Sequence, residues 1–464
     1  MDCAEELTIQ GHSSPSDTRW ERKPLRQRDV LAIALPITLS NATVPLIGFV
    51  DATVIGQLGE THLLGAVALA ATVFNFIYFV FNFLRMGTTG LTAQAAGARN
   101  QSEIAASLSR ALMMALIIGA ALILLQAPIT RVALELLGAS DRVSQPAATY
   151  IEIRIWAAPA GLANFALLGW FIGLGRADIA FYLQLLLNGI NIVLSLIFVL
   201  NLGWAVPGVA VAALIAEYAA VAAGLLIAAK ELRQRSAFTD LEAIMQIPQL
   251  RRVFAVSRDI FIRTLSVQIA ITFFVAQGAR SGDVTLATNA VLFNLVMITI
   301  YMIDGFAYAA ETLVGQSVGA QQKQRFREAI RISTIGAVIV SVVLAAGLWL
   351  LGAWIIDFMT TSEEVRSSSR TYLVWAAIIP LTSIWCFILD GVFIGATATA
   401  VMRNMMIVSM IAYFAAWVVL APLWQNHGLW LSLHILFLVR AITLALALPN
   451  LERQLFTAPK NPQR

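Results

Sequence analysis

The chain is dominated by apolar runs too long and too numerous to be the elements of a water-soluble core. Bounded by charge, Gly or Pro, they fall near 30–54, 61–97, 104–127, 146–173, 179–200, 206–229, 259–279, 284–318, 329–352, 371–396, 404–424 and 428–448. A helix needs about 20 apolar residues to cross the hydrocarbon core of a bilayer. Twelve such runs therefore predict an all-α integral membrane protein of twelve spans, several long enough to tilt or protrude. Composition agrees: 59% of the residues are hydrophobic and 12% charged, against about 25% charged in ordinary soluble domains. That balance excludes disorder, a secreted disulfide scaffold and a cytosolic enzyme. A formal net charge of +4 is too mild to suggest nucleic acid. Cys3 lies in a polar tail and Cys386 in an apolar run, and the four histidines are scattered singly, so neither a disulfide framework nor a metal site is expected. No Walker A, GxSxG or dinucleotide fingerprint occurs, so the expected driving force is an ion gradient, and neither an organic cofactor nor enzymatic chemistry is expected.

Residues 1–29 are polar and contain no signal-peptide core, which predicts a flexible cytoplasmic tail. With that tail inside, 22 of the 31 Lys and Arg fall in inside segments, 5 in outside segments and 4 within spans. This asymmetry predicts both termini on the cytoplasmic side of an inner membrane. The longest polar connector, 230–258, separates a first lobe at 30–229 from a second at 259–448, and 449–464 forms a second cytoplasmic tail.

The two halves repeat. Leu91-Thr92-Ala93-Gln94-Ala95-Ala96-Gly97-Ala98 matches Leu313-Val314-Gly315-Gln316-Ser317-Val318-Gly319-Ala320 at four of eight positions, at an offset of 222. The same offset aligns Gly169-Trp170-Phe171-Ile172-Gly173 with Gly391-Val392-Phe393-Ile394-Gly395. Six spans per half imply repeats of the same orientation, related by an axis along the membrane normal, with a cavity between two bundles. Small-residue motifs also recur in membrane helices simply because they pack closely.

Charge inside a span costs roughly 2.5–3.5 kcal/mol on insertion scales. The residues that bear it are Asp51, Arg85, Glu152, Arg154, Glu217, Arg263, Asp304, Glu311, Asp390 and Arg440. Asp51 stands alone in an otherwise uncharged stretch, ~32 Å along a continuous helix from Val30, in the outer part of the first span. Burial disfavours the charged form of a carboxylate, which would let Asp51 load and release a proton; an interfacial Asp facing water is the alternative. Pro36 and Pro45 lie on the same span, and Pro36 is the candidate hinge, although such kinks are often static. Asn188, Asn191 and Ser195 share one face of span five and could hydrogen-bond Asp51, or merely pack helices together. Asn164, Glu217 and Met86 are weaker cavity candidates. Asp304 and Asp390 sit in Asp-Gly pairs of the second lobe, with Arg263 a possible partner for either.

The strings LPITLSNATVPLIGFVDATVIG (35–56), FLRMGTTGLTAQAAGA (83–98), YIEIRIWAAPAGLANFALLGWFIG (150–173), IDGFAYAAE (303–311) and LDGVFIGATATAVMRN (389–404) together resemble the multidrug and toxic compound extrusion (MATE) family, most closely its DNA-damage-inducible (DinF) branch. The resemblance implies a V-shaped protein of two pseudo-symmetric six-helix lobes, and a monomer is expected. It implies antiport of small cationic, amphipathic drugs or dyes against H⁺ or Na⁺. In relatives the carboxylate matching Asp51 takes part in ion coupling, the proline matching Pro36 marks where the first helix bends, and the Asn matching Asn191 belongs to the same polar cluster. The chain departs from that pattern at Ser195, where many members carry a second Asp, and at Ala213, where relatives carry Thr. The acidic residue one branch carries in span seven is also not evident, and Arg263 lies in that region. One carboxylate favours H⁺, since hard cations prefer several oxygen ligands, although Asp51, Asn191, Ser195 and backbone carbonyls could still hold Na⁺. A lipid or polysaccharide-precursor flippase is the rival expectation. It would need a cavity basic enough for pyrophosphate, and only four Lys/Arg lie within spans.

Overall fold

The computed structural model describes residues 24–138, 140–237 and 241–457, so most of the expected N-terminal tail and the last seven residues lie outside the described residues. All regular structure among the described residues is helical. In the first half these are α1 (Gln27–Gly56), α2 (Thr61–Phe81), α3 (Phe83–Gly97), α4 (Gln101–Leu124), α5 (Gln126–Leu137), α6 (Asp141–Arg154), α7 (Ala158–Gly173), α8 (Ala177–Leu196) and α9 (Ala205–Gln234). A short α10 (Leu241–Ile244) leads to α11 (Ile247–Arg280), α12 (Asp283–Gly319), α13 (Lys323–Met359), α14 (Glu363–Gly395) and α15 (Thr399–Thr457).

These helices make twelve crossings. α2 and α3 form one, broken only at Asn82. α6 and α7 form another, joined by a single tight turn at Ile155–Ala157; Pro159 sits in the first turn of α7, where a missing N–H costs nothing. α15 is 59 residues long, and as one rod it would reach ~90 Å, about three bilayer cores. It turns at Gln425 (φ 48°, ψ −125°), just after Pro422, and so supplies the last two crossings. The polar 230–258 segment is helical at both ends, because α9 continues to Gln234 and α11 starts at Ile247. Its middle is tied to the first lobe by Arg110, whose Nε and Nη2 donate to the carbonyls of Ile244 and Ala243. α5 has 12 residues, too few to cross. It exposes Val132 and Leu136 along its length, as an interfacial helix does.

The sidedness of the packing is that of a membrane protein. Phe49, Leu350, Trp354 and Leu446 are each at least 70% exposed, while Thr89, Thr92, Thr312, Ser317 and Ser333 are fully enclosed. Lipid gives no hydrophobic reason to hide large apolar groups, and small residues let helix backbones approach.

The two repeat motifs face each other. A Cβ at Gly97 would overlap the carbonyl oxygen of Gln316, and one at Gly319 would overlap that of Gln94. Gln94 Nε2 donates to the Gly395 carbonyl at 2.8 Å, and Gln316 Nε2 to the Gly173 carbonyl at 3.2 Å. Every partner in one contact is 222 residues from its counterpart in the other, so the sequence repeat is a structural pseudo-dyad. This closed seam lies at the end of the bundle holding both described chain ends. There the Leu25 N–H donates to Glu328 near the start of α13, and Glu452 near the end of α15 pairs with Lys323 and Arg327.

Candidate ion-coupling site

α1 and α8 bring the first-lobe candidates together toward the opposite end. Asp51 is 5% exposed and lies five residues before the end of α1. Ser195, fully buried near the end of α8, donates its hydroxyl to Asp51 Oδ1 at 3.0 Å. The polar stripe of α8 faces α1, as its i, i+3, i+7 spacing requires. Asn188 Nδ2 donates to Thr43 Oγ1 at 2.7 Å and accepts from Gln184 at 2.8 Å. Asn191 lies between Asn188 and Ser195, buried, with its Oδ1 unpartnered. Asn164 and Glu217 form a second pair, joining α7 to α9 through an Nδ2–Oε2 bond of 2.6 Å.

Sequence reasoning noted Arg154 among the charges within spans but gave it no partner. Its Nη1 donates to the Tyr150 hydroxyl at 2.6 Å, and its guanidinium lies over the Phe74 ring, 5.1 Å from the centroid. It is also near enough to act electrostatically on both Asp51 and Glu217. Those carboxylates act on it from α1 and α9, so no local spacing could have revealed the arrangement. The Tyr150–Arg154 spacing of four was the one local signal.

Pro36 is half-buried, and α1 runs unbroken through it. The stretch around it packs on the second lobe: Thr38 Oγ1 donates to the Met302 carbonyl at 3.2 Å, and Asn41 Nδ2 to that of Tyr301 at 3.3 Å. α1 thus holds the second lobe by its first half and the Asp51 cluster by its last. Met86 is buried within the main apolar core and is not part of that cluster.

In the second lobe Arg263 pairs with Asp390, and Arg440 reaches the same oxygen, Oδ2. Asp390 and Arg440 are 3% and 2% exposed. Asp304 is half-buried on α12, with the charges of Arg85 and Arg263 nearby. Arg85, on α3, lies 3.9 Å above the Tyr308 ring and 3.8 Å from Glu311, so a buried ion pair spans the two lobes.

A family model described as MatE matches residues 36–197 and again 260–422, once in each half. The chain belongs to the MatE family. This MatE protein is 40% identical to DNA damage-inducible protein F of Escherichia coli K12 over 413 residues, 89% of this chain and 90% of that one. It is 25% identical to a probable multidrug resistance protein NorM of Neisseria meningitidis, covering 76% of this chain and 77% of the relative. Among solved structures it superposes on a MATE protein in a bent conformation with a TM-score of 0.85 at 19% identity, covering 92% and 97% of the two chains. An outward-facing MATE transporter gives a TM-score of 0.82, also at 19% identity. The MatE protein is therefore a multi-pass membrane transporter of the multidrug and toxic compound efflux family, from the branch that contains the E. coli relative.

Proposed function

We propose that this transporter exports small cationic, amphipathic compounds in exchange for protons, and that Asp51 is the exchange site. The observation that carries the reading is the charge balance of the first-lobe cluster. Two carboxylates, Asp51 and Glu217, lie within electrostatic reach of one guanidinium, Arg154. With both acids ionised the cluster holds one net negative charge, enough to attract a monovalent cation in an apolar setting. One proton on Asp51 cancels it. A proton and a cationic drug then compete for the same charge, and such differential affinity is what lets one ligand displace another. The direct Ser195–Asp51 bond leaves a compact, singly charged site that suits H⁺ better than Na⁺, which favours several oxygen ligands. The net sign is wrong for a pyrophosphate-bearing lipid precursor. Protonation changes α1 at its far end, and α1 transmits that change past Pro36 to the second lobe it is packed on. The protein works as a monomer in the inner membrane, with the closed seam and both termini on the cytoplasmic side, where its positive segments cluster.

The test is dye efflux by Asp51→Asn at matched expression in membrane vesicles, with H⁺ and Na⁺ gradients imposed separately. The expected result is proton-driven efflux in the parent and none in the variant. Efflux by the variant at the parent's rate removes Asp51 from the mechanism, and efflux driven only by Na⁺ replaces the coupling ion.

A further inference from the structure

The pseudo-dyad at the closed seam is broken at its two glutamines. Gln94 uses both ends of its amide: Nε2 holds Gly395, and Oε1 accepts from Arg252 Nη2 at 2.6 Å. The same guanidinium nitrogen reaches Thr397 Oγ1 at 3.1 Å. Gln316 is its counterpart, but only half satisfied. Its Nε2 holds Gly173, which fixes the amide's orientation, while Oε1 is buried without a partner in a residue only 7% exposed. The positions 222 residues before Arg252 and Thr397 are Val30 and Gly175, and neither side chain can supply a donor. A buried acceptor left unpaired costs about 1–3 kcal/mol, so its persistence calls for an explanation.

Beside Gln316 lies a cavity of about 380 Å³. Both halves build it: Arg99, Gln101 and Arg235 from the first, Gln316, Gln321 and Arg325 from the second. The described lining residues include three arginines and no carboxylate. Gln101 opens α4 and Gln322, also in the lining, caps the start of α13. Two long helices thus aim their positive ends at the cavity. Nearby acids offset part of the charge: Glu231 engages Nε and Nη2 of Arg235, and Asp29 and Glu328 act on Arg325. A guanidinium has five N–H donors, however, and Arg235 Nη1 lies outside the Glu231 pair.

We propose that this cavity binds a phosphate group that carries its own hydrogen-bond donor. The arginines and helix starts take the oxyanion, and the donor satisfies Gln316 Oε1. The P–OH of hydrogen phosphate fits this description, as does a phospholipid headgroup with a hydroxyl or ammonium group. Because both lobes contribute, occupancy favours the arrangement in which this face is shut. The site is distinct from the Asp51 cluster and does not depend on what is transported.

The full chain, purified in detergent, is followed by thermal unfolding while inorganic phosphate is titrated at constant ionic strength, with sulfate and chloride in parallel. A second arm, in buffer without inorganic phosphate, sets nanodiscs of phosphatidylcholine, whose phosphodiester headgroup has no donor, against nanodiscs containing phosphatidylglycerol. A saturable stabilisation by phosphate is expected, about tenfold weaker for sulfate, which has charge but no donor. Arg325→Gln and Arg99→Gln should each weaken it about tenfold, while Arg131→Gln on α5 should leave it unchanged. Arg99 is exposed, so its replacement tests the site even if Arg325→Gln does not fold. Stabilisation by phosphatidylglycerol alone supports the site and assigns the headgroup as ligand; stabilisation by phosphate alone supports it and assigns the soluble ion. No response in either arm, sulfate acting as well as phosphate, or curves unmoved by Arg99→Gln overturns the proposal.

Discussion

Asp51 and Asp390 are both nearly enclosed carboxylates inside crossings, and they are held in opposite ways. Asp51 accepts one bond from the neutral hydroxyl of Ser195, with a single guanidinium, Arg154, acting on it from α6. Asp390 receives two guanidiniums, Arg263 and Arg440, on one oxygen. An acid shared between two buried cations cannot give up its charge without stranding both, whereas an acid bonded to a hydroxyl can be protonated at little cost to its surroundings. The first arrangement suits exchange and the second suits construction.

Replacing each acid by its amide separates the two roles most sharply. Asp390→Asn takes the paired carboxylate away from two buried guanidiniums and leaves Arg263 only the charge of Asp304 nearby; breaking a buried pair this way costs roughly 3–5 kcal/mol. The expected result is loss of folded protein, read as a fall in thermal midpoint and in monodisperse yield. Asp51→Asn keeps the bond to Ser195 and should leave the midpoint near the parent's while abolishing proton-driven efflux. A stable Asp390→Asn that no longer transports would reverse the assignment and make the second lobe a site of coupling.

How much of this was legible in the sequence depends on whether the controlling contacts are local or distant. The twelve crossings, the α8 stripe and the repeat could be read directly, because run length, helical period and identity at a fixed offset are one-dimensional signals. The Asp390 triad could not. Arg263 was a candidate partner for Asp304 or Asp390 alike, and Arg440 lies 50 residues from Asp390 in sequence, although they meet in the folded core. α5 was hidden for another reason: it lies almost wholly beyond the run at 104–127, in a stretch read as an outside connector, and only the fold shows that stretch to be a helix.

The two glutamines of the seam extend the comparison from lobes to repeats. Gln94→Ala removes the bond to Gly395 and strips Arg252 of an acceptor. Gln316→Ala removes one bond and, with it, an unsatisfied oxygen. Bonds to charged groups contribute about 1.5–3 kcal/mol and neutral ones about 0.5–1.5. In phosphate-free buffer Gln94→Ala should therefore lower the thermal midpoint clearly more than Gln316→Ala. Equal losses would mean that the Arg252 contact contributes nothing, and that the two halves of the seam are energetically alike despite their different partners.

The smallest effect is expected within the α1–α8 contact itself. Asn188 and Thr43 form a neutral interhelical bond at 2.7 Å, one helical turn or more from the ionisable end of the same contact. Interhelical bonds of this kind average about 0.6 kcal/mol, because a separated helix finds other partners. A double-mutant cycle with Asn188→Ala and Thr43→Ala should return a coupling of that size, with efflux still proton-driven. Ser195→Ala should cost more stability than Asn188→Ala while Asp51 is ionised, because its bond goes to a carboxylate, and should also shift the pH at which efflux is half-maximal, because it removes the donor on Asp51. If Asn188→Ala moved the pH profile as far as Ser195→Ala, the proton would be shared along the whole stripe instead of residing at its end.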